Sequence, residues 1–261
     1  MRELIHFAHG NGFPSLCYKQ FLDELETQFD FCYIDRIGHD PKYPVSENWH
    51  NLVAEVIESI RNQASRPVIA VGHSLGGVLS LLAALEQPEL FKAVVMLDSP
   101  LIGPFKSIMV RLAKALGVID RITPAYKTKG RREHWLDHEQ LVSYLKTREL
   151  FKTFTEECLN DYIQYGLEFK ESGYYLRFDR HIEYQIYKTI PHILPTLIGK
   201  LRIPTAFIYG DKSTVVDRMD VRFMKSRFGI KCFKTKGTHL FPMEHPKVVG
   251  RQVIEVIHSL I

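Results

Sequence analysis

The chain has 261 residues, 45% of them apolar and 25% charged, with a formal net charge of +4. That length buries most of its apolar surface in one large domain or in a domain with an insertion, and that composition excludes a disordered polypeptide. The charge is far from the concentrated basic stripe of a nucleic-acid binder, and no apolar stretch is long enough to span a bilayer.

Cys17, Cys32, Cys158 and Cys232 are scattered, without a C-x-x-C pair. They read as reduced, partly buried small apolar residues, not as a disulfide framework or zinc site. The chain enters a strand-like run at Leu4 with no charged segment and apolar h-region ahead of it, so the expected location is cytoplasmic.

Strands and helices alternate over the first hundred residues. Leu4 to Ala8 is a short apolar run ending in the turn-rich His9-Gly10-Asn11-Gly12-Phe13-Pro14. Ser15 can cap the next helix, whose Tyr18, Phe21, Leu22 and Leu25 recur at helical spacing. Phe29 to Ile34 reads as a second strand. Trp49, Leu52, Val53, Val56, Ile57 and Ile60 predict an amphipathic helix. Pro67 to Val71 is a wholly apolar strand of the kind buried in a parallel sheet, and the helix from Leu75 to Leu85 is apolar almost all round. Ala93 to Leu97 predicts one more buried strand. Repeated strand-helix-strand units with short links indicate a parallel sheet covered on both faces.

From about Leu101 to Lys200 the pattern becomes aromatic-rich and mainly helical, without an obvious buried strand. Strand-helix order resumes at Pro204 to Tyr209, with a helix near Asp217 to Arg227, a strand at Lys231 to Lys234 and a closing helix from about Lys247. The expected organisation is a core over 1–100, an inserted helical segment over 101–200, and the rest of the core over 201–261. Within the insertion, Phe105, Ile108, Met109, Leu112, Leu116 and Ile119 form one apolar stripe. It reads as a lid helix covering a pocket in preference to a membrane-surface helix. Lys127, Lys129, Arg131 and Arg132 form a basic cluster that suits either coenzyme A phosphates or a solvated loop.

Gly72-His73-Ser74-Leu75-Gly76 fits G-x-S-x-G where a buried strand passes into a helix. Glycines two residues either side of the serine relieve crowding in a sharp turn that lifts the hydroxyl clear of the sheet. The helix N-terminus then lies beneath developing negative charge, and the Leu75 N–H is one donor of an oxyanion hole. Ser74 is the candidate nucleophile, and His73 is a structural neighbour.

His9-Gly10 after the first strand, the serine turn and a late histidine together resemble the α/β-hydrolase family, and with the strand order they cover nearly the whole chain outside the insertion. The resemblance implies an α/β-hydrolase fold with a helical cap and a site at the strand C-termini. The sequence starts at the strand bearing His9-Gly10, so the expectation from the resemblance is a sheet without the family's usual N-terminal hairpin. The second oxyanion donor falls by position on Asn11, with Gly12 as the substitute, and His9 is read as tying its loop by hydrogen bonds. Gly237-Thr238-His239 to Pro246 resembles the family's histidine loop, which makes His239 the general base. His245 leads into the closing helix.

The acid is where the chain departs from the family. The position that often carries Asp, after Ile208-Tyr209-Gly210, holds Ser213, which supplies no charge but can hydrogen-bond to the ring or to a carboxylate. Asp98, directly after the apolar run Val94 to Leu97, is the preferred replacement at the sheet's carboxyl edge. Asp211 is the rival, and Asp217 is read as starting a helix. The implied activity is a serine esterase acting on a small apolar ester, without metal or organic cofactor. An acyl-CoA thioesterase and a non-hydrolytic ligand-binding member of the fold are the alternatives.

Overall fold

A computed structural model describes residues 2–261. In chain order the elements are β1 (Leu4–Ala8), α1 (Lys19–Glu26), β2 (Asp30–Tyr33), α2 (His50–Gln63), β3 (Val68–His73), α3 (Leu75–Glu86) and β4 (Phe91–Leu97). Between β4 and β8 follow α4 (Pro104–Ala115), α5 (Ile119–Ile122), α6 (Ala125–Lys129), β5 (His134–Trp135), α7 (His138–Thr147), α8 (Glu156–Tyr165), β6 (Leu167–Lys170), β7 (Gly173–Leu176) and α9 (Arg180–Lys188). The chain closes with β8 (Thr205–Gly210), α10 (Arg218–Phe228), β9 (Lys231–Thr235), α11 (Phe241–Glu244) and α12 (Pro246–His258).

Six strands form one sheet in the order β2-β1-β3-β4-β8-β9, and every neighbouring pair is parallel. All six residues of β3 are buried. Their side chains alternate between two cores, Ile69 and Val71 facing α1 and α12, Val68 and Ala70 facing α2, α3 and α10. A strand covered on both faces has no polar side to alternate with, hence its unbroken apolar run. Trp49, at the N-cap of α2, and the five predicted positions within it from Leu52 to Ile60 are all buried, and α3 is buried continuously from Leu75 to Ala84. Among the described residues no helix is long and apolar enough to cross a membrane.

Three features differ from the sequence reading. Ser15 does not cap α1: it opens a short 3-10 turn, and its hydroxyl donates to the Ile34 carbonyl at 2.6 Å. The segment between β4 and β8 contains an antiparallel sheet, β5-β7-β6, as well as helices. Its strands are two to four residues long and only their ends are buried, so they present no apolar run to be seen. The apolar stripe of α4 is exposed, and of its residues Phe105 borders a cavity against α10. Ser107, Val110 and Ala113 on the opposite face are buried instead, with Ile119 packed beside them from α5. Bulky residues lose the contest because Lys106 holds α4 against α10, its ammonium 2.7 Å from both Asp217 and Asp220.

The same segment is anchored to the core at several points. Trp49 Nε1 donates to the Ile186 carbonyl at 2.9 Å, Arg177 pairs with Asp35 at 2.7 Å, and Thr155 N–H donates to Met243 O at 3.2 Å. Phe13 sits among Phe151, Phe154 and Tyr162, with ring centroids 5.5 to 6.4 Å away. Trp135, Tyr162 and Phe178 are fully buried, so much of the aromatic content of the segment serves packing.

Candidate active site

The turn at Ser74 is built by close backbone approach. Ser74 adopts φ 51° and ψ −114°, a left-handed conformation costing about 1–3 kcal/mol for a residue with a Cβ. A Cβ on Gly72 would lie 2.4 Å from the Gly76 carbonyl carbon, and one on Gly76 would lie 2.0 Å from the Ala8 carbonyl oxygen. Only glycine fits at either place, because the start of α3 crosses directly over the end of β1. Ser74 N–H donates to Leu97 O at 2.8 Å, which ties the turn to β4.

Asp98 follows β4 at once and has φ 44°, the second left-handed side-chain-bearing residue at this edge. It is fully buried. Its Oδ1 accepts from Gly210 N–H at 3.0 Å, and its Oδ2 accepts from Ser213 Oγ at 2.5 Å and lies 2.7 Å from His239 Nδ1. His239 Nε2 lies 3.1 Å from Ser74 Oγ. Ser74, His239, Asp98 and Ser213 thus form one continuous hydrogen-bonded chain. A carboxylate without a proton requires Nδ1–H, which leaves Nε2 as the acceptor facing the serine. Three donors satisfy the buried carboxylate, as a charge out of water requires.

Asp211, the rival acid, points elsewhere. Its Oδ1 accepts from Gly237 N–H at 2.9 Å and steadies the base of the histidine loop. Asp217 is the N-cap of α10, accepting from Met219 and Asp220 N–H in a capping box. His245 lies between α11 and α12.

Neither His9 nor His73 is free to exchange protons. His9 Nδ1 is 2.8 Å from Gly10 O and its Nε2 accepts from Ile37 N–H at 2.8 Å, while burial pushes its pKa down to about 4. His73 is held neutral by burial first and by the proximity of His239 second, both driving its pKa well below the usual imidazole value. It donates from Nε2 to the His239 carbonyl at 2.9 Å and accepts at Nδ1 from the Tyr18 hydroxyl at 2.7 Å, which itself accepts from Gly10 N–H at 3.1 Å. This Gly10–Tyr18–His73 line joins the Asn11 loop to the backbone of His239. Glu244 clamps the same loop, accepting from Thr238 N–H at 2.9 Å, from the Thr238 hydroxyl, and from Thr153 Oγ1 at 2.9 Å. Tyr18 escapes sequence reading as a site residue because nothing local marks it, and Glu244 is legible only as part of the histidine loop; the partners of both are defined by the fold.

Asn11 and Gly12 form the middle of a turn closed by Phe13 N–H donating to Gly10 O at 3.2 Å, with Gly12 at φ 84°. The Asn11 side chain donates to Glu183 O in α9 at 3.0 Å. Gly76 N–H donates to His9 O at 3.1 Å, so the Asn11 loop abuts the start of α3, where Leu75 sits. Among the described residues neither the Asn11 nor the Leu75 backbone N–H has a protein acceptor. Beside the loop, Arg131 forms an ion pair with Glu183 at 2.5 Å and donates to Tyr162 OH at 2.8 Å.

An all-parallel sheet with a strained serine turn after its third strand, and a histidine presented from the loop after its last, defines a hydrolase-like α/β architecture. The profile of the alpha/beta hydrolase family matches residues 7–252, and the chain belongs to that family. It is 24% identical to the uncharacterized hydrolase YugF of Bacillus subtilis over 268 aligned positions, covering 98% of this chain and 90% of YugF. Among solved structures, E-2-(acetamidomethylene)succinate hydrolase superposes with a TM-score of 0.78 at 19% identity, covering 99% of this chain and 92% of that one. The thioesterase domain from the curacin biosynthetic pathway superposes with a TM-score of 0.73 at 18% identity, covering 97% and 91%. At these identities the structural likenesses speak to the fold. The protein is a hydrolase-family member built on a six-stranded parallel sheet.

Proposed function

We propose that the protein is a serine hydrolase cleaving carboxylic esters of apolar acyl or aryl groups through an acyl-enzyme. The observation that carries this reading is the Asp98–His239–Ser74 chain, with contacts of 2.7 and 3.1 Å in the order a proton relay needs. His239 Nε2 takes the Ser74 proton as Oγ attacks the acyl carbon. Asp98 stabilises the imidazolium without taking its proton. The N–H groups of Leu75 and Asn11 receive the oxyanion, and the alcohol leaves with the proton from His239. Water, giving its proton to His239, then attacks the acyl carbon; the bond to Oγ breaks, the carboxylic acid is released and Ser74 regains its proton from His239. Ser213 orients the Asp98 carboxylate. This chemistry calls for neither metal nor organic cofactor.

In this reading residues 101–200 are a cap over the serine, and their aromatic content favours an apolar acyl or aryl group over a sugar or peptide. The four unpaired cysteines fit a cytoplasmic protein. The same machinery would act on an acyl-CoA thioester, but the cluster expected to meet its phosphates is largely committed. Lys129 pairs with Asp120, Arg131 with Glu183, and Arg132 donates to Gln140. An ester is therefore the preferred substrate.

A fluorophosphonate probe tests the nucleophile. Labelling of the wild type, abolished in Ser74→Ala, is expected; an unlabelled wild type would support a non-hydrolytic binding protein and sink the proposal. A chain-length series of nitrophenyl and CoA esters then separates ester from thioester hydrolysis. Faster turnover of the CoA series would replace the ester reading with the thioesterase one.

A further inference from the structure

The bulky stripe of α4 faces solvent. Phe105, Ile108, Met109, Leu112 and Leu116 share one side of the helix and are 70, 58, 48, 52 and 75% exposed. The side that packs inward is the smaller one, Ser107, Val110 and Ala113. This inverts the usual arrangement, in which the wide apolar face of an amphipathic helix turns to the core. Ile122 and Tyr126, just beyond, are 55 and 60% exposed. Half of the large apolar side chains exposed among the described residues fall between positions 105 and 126. A patch of that size on a soluble protein marks an interaction surface.

Charge identifies the partner. Residues 101–132 contain eight Lys or Arg and a single acidic residue, Asp120, for a net +7, although the whole chain carries only +4. Four of these cations are paired: Lys106 with Asp217 and Asp220, Lys114 with Glu47, Lys129 with Asp120 and Arg131 with Glu183. Arg111, Arg121 and Lys127 are exposed and form no ion pair among the described residues. By helical geometry Arg111 flanks Ile108 at the edge of the stripe, where a long stem can lie along apolar surface while its charge reaches a polar layer.

We propose that α4 and the turn after it form a docking face for an anionic phospholipid bilayer, with the apolar stripe entering the headgroup boundary and the flanking cations meeting lipid phosphates. A helix with Phe, Ile, Met and Leu on one side and unpaired cations at its border has the chemistry of an in-plane interfacial helix. A second copy of the chain fits less well: a two-fold contact through this face would set two strongly cationic segments against each other. The proposal does not depend on the ester chemistry, since vesicle binding is read without turnover.

The test is flotation of the full chain with vesicles of phosphatidylcholine alone and of phosphatidylcholine with phosphatidylglycerol, in low and high salt. Binding is expected to the mixed vesicles, to weaken by about tenfold on pure phosphatidylcholine, and to fall with salt. Arg111→Glu with Arg121→Glu is expected to weaken binding to mixed vesicles about thirtyfold. Ile108→Ser with Leu112→Ser is expected to abolish it. Both double variants should keep the wild-type circular dichroism and melting temperature, because these side chains are exposed; Leu116→Ser alone is the fallback if either unfolds. Equal binding to both vesicle types, or wild-type binding by the folded variants, overturns the proposal. So does a dimer in sedimentation analysis that the Ile108→Ser, Leu112→Ser variant dissolves, because that assigns the face to a second copy.

Discussion

Replacing Asp98 by Asn tests the proposed relay with little change in volume. The outcome follows from which amide atom goes where. Gly210 N–H can only donate, at 3.0 Å to Oδ1, so the amide oxygen must take that place. The NH2 group then takes the place of Oδ2 and faces His239 Nδ1, from which the carboxylate oxygen lies 2.7 Å away. The ring must accept there, so its proton moves to Nε2 and points at Ser74. A base in that tautomer cannot receive the serine proton, and the imidazolium loses its counter-charge. Changes of this kind cost about 10⁴-fold in kcat, or roughly 5.5 kcal/mol of barrier, with little change in KM. Ser213→Ala removes one of three hydrogen bonds to the carboxylate and should cost about 1.5–3 kcal/mol at most. The assay is kcat and KM on a nitrophenyl ester for Asp98→Asn, Ser213→Ala and Asp211→Asn. Asp211→Asn should retain most activity, since an amide oxygen can still accept from Gly237 N–H. An Asp98→Asn enzyme within about tenfold of wild type, or a severe Asp211→Asn, would refute the assignment.

Gly76→Ala should lower stability by about 3 kcal/mol or more, because its Cβ meets Ala8 backbone at 2.0 Å and neither β1 nor α3 can yield; denaturant midpoints check it. Tyr18→Phe leaves Gly10 N–H and His73 Nδ1 without their buried partner and should cost about 2–4 kcal/mol in urea titration, with kcat falling more than KM rises. Glu55 gives a pH prediction. Burial raises its carboxyl to about 7 from 4.5, despite the Gly38 N–H donated to it at 2.8 Å. The folded state therefore holds a proton that the unfolded state has released between those values, so this stabilising contribution is complete below pH 4.5 and is lost as pH rises through about 7. Glu55→Gln should flatten the stability profile across that window and stabilise the protein above it by roughly 3 kcal/mol, measured by thermal melts at pH 5 and pH 8.

The parallel core was legible because burial on both faces leaves an unmistakable trace. Val68 to Val71 and Leu75 to Ala84 have no polar side, so composition alone distinguishes them from surface elements. The strands of the small antiparallel sheet leave no such trace, since exposed two- to four-residue strands carry almost no periodic signal. Periodicity also identified the stripe of α4 correctly but not the direction it faces. Amphipathicity states that two faces differ; which one is covered depends on what else the fold brings near, here the Asp217 and Asp220 carboxylates that hold Lys106.

By itself the sequence determined the strand-to-helix turn at Ser74, because Gly72 and Gly76 are local steric requirements written at fixed spacing. It also narrowed the histidine to the loop after the last strand. What only the tertiary structure decided is which groups stand behind that histidine. Asp98 and His239 are 141 positions apart, His73 and His239 are 166 apart, and Gly10 reaches both through Tyr18. Contacts across such separations are set by strand order and register, which no local spacing encodes. Ser213 illustrates the division: its sequence position says that a charge is absent there and that a hydroxyl could bond either to the ring or to a carboxylate, and the fold shows it placed against the carboxylate of Asp98 at 2.5 Å.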